Sequence, residues 1–180
     1  MSDILADLPS IQAGEESRGY SRKKRKQYVA EHLRTSDDVL TWHIARPHTE
    51  QDREIYRLAI HEWLDDGKHR RLRYQEIPEH LRTHKNQTAF SDRFKVVAPD
   101  VSYSHTMLAH ISKDGHYFIH PDINQARSLT VREAARLQTF PDSYFFEGSR
   151  TSAFTQIGNA VPPLMAQRIA EALMEQLQER

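Results

Sequence analysis

The chain has 180 residues, 38% hydrophobic and 28% charged, and its 25 Lys+Arg balance 25 Asp+Glu. That length suits one domain or one and a half with a modest core, and zero net charge leaves any attraction for a polyanion to local patches. The absence of cysteine excludes disulfides, Cys-ligated zinc and a Cys nucleophile from this chain.

No run of about 18 apolar residues offers a membrane span. The start, MSDILADLPS, is acidic and lacks a signal-peptide pattern, so a cytoplasmic location is the default expectation. Residues 1–17 read as a loosely ordered lead-in, with Ile4, Leu5 and Leu8 in at most one short helical turn that has little to pack against. Residues 18–26 carry Arg18, Arg22, Lys23, Lys24, Arg25 and Lys26 with no acid among them. Such a run is either a solvated face or a patch that neutralises phosphates in a salt-dependent way. Tyr28, Val29, His32 and Leu33 continue it as an amphipathic helix.

Val39–Arg46 reads as extended or irregular. Thr49 caps a clearer helix over about 50–66, whose stripe is Ile55, Leu58, Ala59 and Trp63, with Gly67 as its stop. Lys68, Arg70, Arg71 and Arg73 form a second basic cluster beside Tyr74. The polar segment Arg82, His84, Lys85, Asn86, Gln87 and Thr88 follows. Arg, Asn and Gln are the side chains that read base edges bidentately, although a surface loop has the same composition.

Phe94–Val97 is a short strand candidate. Met107–Ile111 and His116–His120 read as a β-hairpin turning at Ser112-Lys113-Asp114-Gly115, with His116, Phe118 and His120 on one face. With no thiol and no HExxH, hydrogen bonding at the hairpin surface is preferred over metal ligation for these histidines.

The stretch from Arg127 to Pro163 is the most specific. RSLTVREAARLQTFPD starts a helix at Thr130, with Glu133 three residues on as a capping box requires. Arg132 and Arg136 lie one turn apart, and Phe140-Pro141-Asp142 closes the helix. QIGNAVPP reads as a tight turn at Gly158-Asn159, followed by Pro162-Pro163 opening a helix. Leu164, Met165, Ile169, Leu173 and Leu177 recur in it at helical spacing.

Arg127–Asp142 resembles the ninth conserved motif of the DNA cytosine-5 methyltransferases, and Gln156–Pro163 resembles their tenth. Ser104–Asp122 is similar to the segment before the ninth motif in one branch of that family. DILADLP near the start resembles, more loosely, the segment after the catalytic half. The resemblance implies that Asn159, Ala160 and Val161 contact S-adenosyl-L-methionine, with Gln156 and Gly158 shaping their turn. It implies that Arg127, Thr130, Arg132, Glu133 and Arg136 brace a target-recognition region. Thr106 stands where the family has a Thr near the DNA backbone, although Tyr103 stands where a Pro is common. Arg22, Lys23, Lys24, Arg25, Arg70, Arg71 and Arg73 become the DNA-binding candidates, because specificity in the family resides in the variable region before the ninth motif.

Family chemistry needs a thiolate that adds to cytosine C6. The Pro-Cys motif, the Glu-Asn-Val motif and the glycine-rich cofactor loop are all missing from these residues. No catalytic residue is therefore assigned here, and no metal. The expectation is a C-terminal subunit or fragment of a restriction-modification type cytosine-5 methyltransferase. It would share S-adenosyl-L-methionine with an N-terminal catalytic chain and act on flipped bases of double-stranded DNA. The alternative is a non-catalytic DNA-binding module or inactive remnant. The expected fold is α+β: a helix-rich small domain with a β-hairpin, then a C-terminal helix that completes an α/β methyltransferase domain. Its expected parts are a variable region over 1–95, the hairpin and ninth-motif helix over 96–142, and the tenth-motif loop and last helix over 143–180.

Overall fold

The computed structural model describes residues 2–23, 25–65, 69–83, 93–100, 104, 106–113 and 115–178. Its helices are α1 (Ser2–Leu5), α2 (Gln27–His32), α3 (Glu50–Leu64), α4 (Val131–Leu137), α5 (Arg150–Asn159) and α6 (Pro163–Gln178), with short 3-10 turns at Tyr74–Glu76, Glu79–Leu81 and Ala109–Ser112.

Local chemistry explains where the helices start. Thr49 opens α3 and Thr130 opens α4, each with its hydroxyl accepting from the backbone N–H three residues on. Asp52 and Glu133 reach back to complete a capping box at each end. Ser149 caps α5 by accepting from Ser152 N–H. α4 stops at Leu137, four residues before the proline expected to end it. Thr139 adopts φ 63°. Phe140 N–H bonds Ala135 O at 2.9 Å, and Thr139 N–H bonds Arg136 O at 3.0 Å. That is the pattern of a Schellman stop, here with Thr where Gly is usual. The Thr139 hydroxyl also accepts from Leu164 N–H at the start of α6, at 3.1 Å.

Two apolar clusters form the core. One gathers Ile55, Tyr56, Ala59, Ile60 and Trp63 of α3 with Leu72, Tyr74, Ile77, Leu81, Phe94, Val96 and Ile119. The other gathers Val131, Ala134 and Ala135 of α4, Ala153, Phe154 and Ile157 of α5, and Val97, Met107, Ile111, Phe118, Leu129, Phe140 and Phe146. Extended segments separate them: Val96 and Ile119 face the first cluster, Val97 and Phe118 the second. This is the period-two alternation of extended chain.

The expected β-hairpin is not formed, and neither is an α/β domain. Among the described residues there are only isolated bridges, at Glu16–Ile44, Val96–Ile119 and Ile119–Ser128. The reason lies in competing partners. Residues 118–120 bond on one edge to 95–97, through Val97 N–H to Ile119 O at 2.9 Å and Ile119 N–H to Lys95 O at 2.8 Å. On the other edge they bond to 127–129, through His120 N–H to Arg127 O at 2.8 Å and Leu129 N–H to Phe118 O at 3.0 Å. Both edges are taken, so 107–111 has nothing to pair with. It winds instead into the Ala109–Ser112 turn, which packs along α5. Asp114, placed in the expected hairpin turn, lies outside the described residues.

The lead-in is also better anchored than its sequence implied. Leu8 and Ile11 are buried and Asp7 is wholly so, and α1 packs on both α2 and α4.

Candidate functional site

The ninth-motif arginines, which composition would place at the surface, are wholly buried: Arg127, Arg132 and Arg136 each have no exposed area. Each is held by a different set of acceptors. Arg127 forms a fork with Glu133, Nη1 to Oε2 at 2.8 Å and Nη2 to Oε1 at 2.7 Å. It also donates through Nε to Ile11 O at 3.0 Å. Arg136 donates through Nε and Nη2 to Asp142 at 3.0 and 2.6 Å, and through Nη1 to Asp7 at 2.5 Å and Ile4 O at 2.8 Å. Arg132 ties Thr41, through Nη2 to Oγ1 at 2.7 Å and Nε to the carbonyl at 3.1 Å, to Tyr144 O at 3.1 Å.

These contacts join distant stretches: the lead-in, residues 41–46 and the 141–146 loop all converge on α4. Arg34 adds to the set by reaching Asp7 at 2.6 Å, with its guanidinium 3.3 Å from the Tyr20 ring centroid. Tyr20 donates to Asp142 at 2.8 Å.

The charge states follow from the surroundings. Burial alone would raise the Asp7 and Glu133 carboxyls. The neighbouring guanidiniums, Arg136 and Arg34 for Asp7 and Arg127 for Glu133, outweigh it and hold both below the usual carboxylate range. Burial lowers His120 to about 4 and lowers His43. His43 Nε2 lies 2.9 Å from the Pro9 carbonyl, an acceptor only, so that nitrogen carries the proton and Nδ1, 3.1 Å away, accepts from Thr130 Oγ1. His120 is buried, not at a hairpin surface, and its Nδ1 accepts from Asp122 N–H at 3.1 Å.

The tenth-motif residues sit elsewhere than expected. Gly158 and Asn159 are the last residues of α5, not a tight turn; Ala160 is the first residue beyond the helix. Gly158 marks a close approach: a Cβ there would lie 2.5 Å from Leu108 C and 2.6 Å from Ala109 Cα. The structure thereby brings Leu108 and Ala109 against the end of α5. Thr106 and Asn159 are exposed, Ala160 is half-buried and Val161 is 61% exposed. The Asn159 side chain makes no hydrogen bond within the described residues. Gln156 donates to Glu147 O at 3.0 Å and braces the loop before α5.

The basic candidates divide. Arg22, Lys23, Arg71 and Arg73 are exposed. Arg25 is half-buried and donates to Arg34 O at 2.8 Å. Arg70 is held between the carboxylates of Glu62 and Glu76, which cancels its charge locally. Lys24, Gly67, Lys68, Tyr103 and the segment 84–88 lie outside the described residues. Sequence reasoning missed Asp7, His43 and Asp142 as partners of the buried cations. Only the oddity of three arginines in one short apolar stretch signalled that counter-charges must exist. No group of three or more His, Asp or Glu is placed to hold a metal, and no helix is long and apolar enough to cross a membrane, among the described residues.

Comparison with known proteins gives the family. The model for C-5 cytosine-specific DNA methylases matches residues 3–175. The chain is 51% identical to the type II methyltransferase M.Bpa9945I of Bacillus paralicheniformis, over 96% of this chain and 40% of that relative. It is 34% identical to the type II methyltransferase M.DdeI of Desulfomicrobium norvegicum, over 96% of this chain and 42% of the relative. A shorter match, 53% identical over 74 residues, links it to the DNA (cytosine-5-)-methyltransferase M.ApeKI of Aeropyrum pernix. The chain thus spans about two fifths of the first two relatives, and it belongs to the C-5 cytosine-specific DNA methylase family.

Proposed function

We propose that this chain is the C-terminal portion of a DNA cytosine-5 methyltransferase, supplying DNA target recognition and part of the S-adenosyl-L-methionine site, while the catalytic Cys comes from another chain. The observation that carries the reading is the family match along nearly the whole of a sequence with no cysteine. A thiolate is the nucleophile of this chemistry, and no other side chain here replaces it.

The end of α5 supports the cofactor part. Asn159 offers an amide free of other hydrogen bonds, and Ala160 and Val161 leave the helix beside it. These residues suit one wall of a site: Asn159 would hold a polar group and Val161 an apolar ring edge. S-adenosyl-L-methionine, when bound, supplies an electrophilic methyl on its sulfonium. Thr106, exposed two residues before the Leu108–Gly158 contact, would hold a DNA phosphate.

α6 supports the need for a partner chain. Met165, Ile169, Leu173 and Leu177 recur along it and are 56%, 48%, 55% and 66% exposed. No residue of α6 is buried. A stripe of that size normally meets another protein surface, and the N-terminal catalytic half of the enzyme is the partner that lacks this piece.

The test is transfer of a radiolabelled methyl group to duplex DNA. The chain alone is expected to give none. Co-expression with the N-terminal part of M.Bpa9945I, carrying its own catalytic Cys, is expected to give 5-methylcytosine. Methylation by the chain alone overturns the reading. DNA binding without methylation in the co-expressed pair favours a non-catalytic module instead.

A further inference from the structure

A basic cleft of about 220 Å³ is lined by none of the basic residues that the sequence singled out for DNA binding. It is lined by Arg46, His48, Asp52, Lys113, His116 and Arg150, among others. Among the described residues, three guanidinium or ammonium groups and one carboxylate line it, and that carboxylate is engaged in capping α3 by accepting from Thr49 N–H at 3.2 Å. Arg46 is fixed in place: it donates to Ile111 O at 2.8 Å and its guanidinium sits 5.0 Å from the Phe154 ring centroid. Lys113 and Arg150 are exposed, and neither has an ion-pair partner within the described residues.

A separate observation points the same way. Arg150 is the first residue of α5, and no acid stands in that first turn. A cation there opposes the helix dipole, which favours negative charge at an N-terminus. An anion in the cleft would satisfy Arg150 and the dipole together.

Position names the anion. The Ala109–Ser112 turn runs along α5, with Leu108, two residues after Thr106, at the Gly158 end and Lys113 lining the same cleft as Arg150. The eight steps from Arg150 to Gly158 rise about 12 Å. One strand of duplex DNA carries a phosphate every ~3.4 Å of axis, so two points that far apart fit one backbone. We propose that Arg46, Lys113 and Arg150 form a phosphate-binding cleft that grips the DNA backbone a few nucleotides from the phosphate held at Thr106. This rests on the DNA-binding reading above.

The experiment is fluorescence anisotropy of the full chain with a labelled duplex over a series of salt concentrations. The variants are Lys113→Ala/Arg150→Ala and, as an equal change of charge elsewhere, Arg57→Ala/Arg168→Ala. Both replaced residues of the cleft are exposed, and an unchanged thermal melt checks the fold. The cleft variant is expected to bind at least about tenfold more weakly and to lower the salt slope by about one to two, while the control binds like wild type. Wild-type binding with an unchanged slope in the cleft variant, or an equal loss in the control, overturns the cleft alone. Absence of duplex binding by the wild-type chain overturns the cleft and the DNA reading together.

Discussion

Glu133, whose side chain is 1% exposed, accepts from both terminal nitrogens of Arg127 and from Thr130 N–H at 2.8 Å. Removing one partner of such a pair strands the other charge in the core, a cost of about 3–5 kcal/mol. Glu133→Gln is expected to lower stability by that order in urea melts; a loss below about 1 kcal/mol would mean the pair is not buried as described. The histidines set the pH response. His48 and His120 are lowered from 6.5 to about 4, mainly by burial. The unfolded chain therefore takes up protons that the folded chain does not, and stability falls as pH drops from about 6.5 towards 4. Each His contributes ~1.4 kcal/mol per pH unit in that window and nothing above pH 7. Asp7 and Glu133, held low, keep their share until the pH falls below the ordinary carboxylate range. Urea midpoints that stay level from pH 7.5 to 4.5 would contradict this assignment.

Among elements, the contact between α5 and the Ala109–Ser112 turn carries the most consequence, because it sets Leu108 and Ala109 against the end of α5. Gly158 permits it: an added methyl would overlap Leu108 and Ala109 backbone, which cannot swing aside as a side chain can. Gly158→Ala is expected to destabilise by about 1–3 kcal/mol, read as a lower urea midpoint, and to weaken methyl transfer by the co-expressed pair. A variant with wild-type stability would show that the two elements do not meet. The helix starts were legible in sequence because capping is local: Thr49 with Asp52 and Thr130 with Glu133 are three residues apart. The Met107–Ile111 strand was misread because its alternation is compatible with extended chain, while the partner for His116–His120 was decided elsewhere. The Gly158 turn was misread for a related reason: Gly-Asn favours turns, yet here the glycine serves packing inside a helix.

For the whole molecule, the uneven burial is informative. α4 is almost entirely buried, whereas α6 has no buried residue. Under the proposed function, an element that adds no core to its own chain matters to the catalytic chain it would meet. Ile169→Asp with Leu173→Asp should leave the melt of this chain within about 0.5 kcal/mol and abolish methyl transfer by the co-expressed pair. A large loss of stability in the isolated chain would place α6 in its own core instead.

What the amino-acid order determined alone is the family, through long local motifs, together with the helix caps and the lack of a thiol for the methylation chemistry. These depend on residue type and short spacing, which need no folded context. Only the tertiary structure decided that the motif arginines lie inside, that Asp7 and Asp142 meet them, and that Lys113 and Arg150 line one cleft. Those pairings span up to 129 residues, and a buried charge selects its counter-charge by proximity in space, which spacing along the chain does not encode.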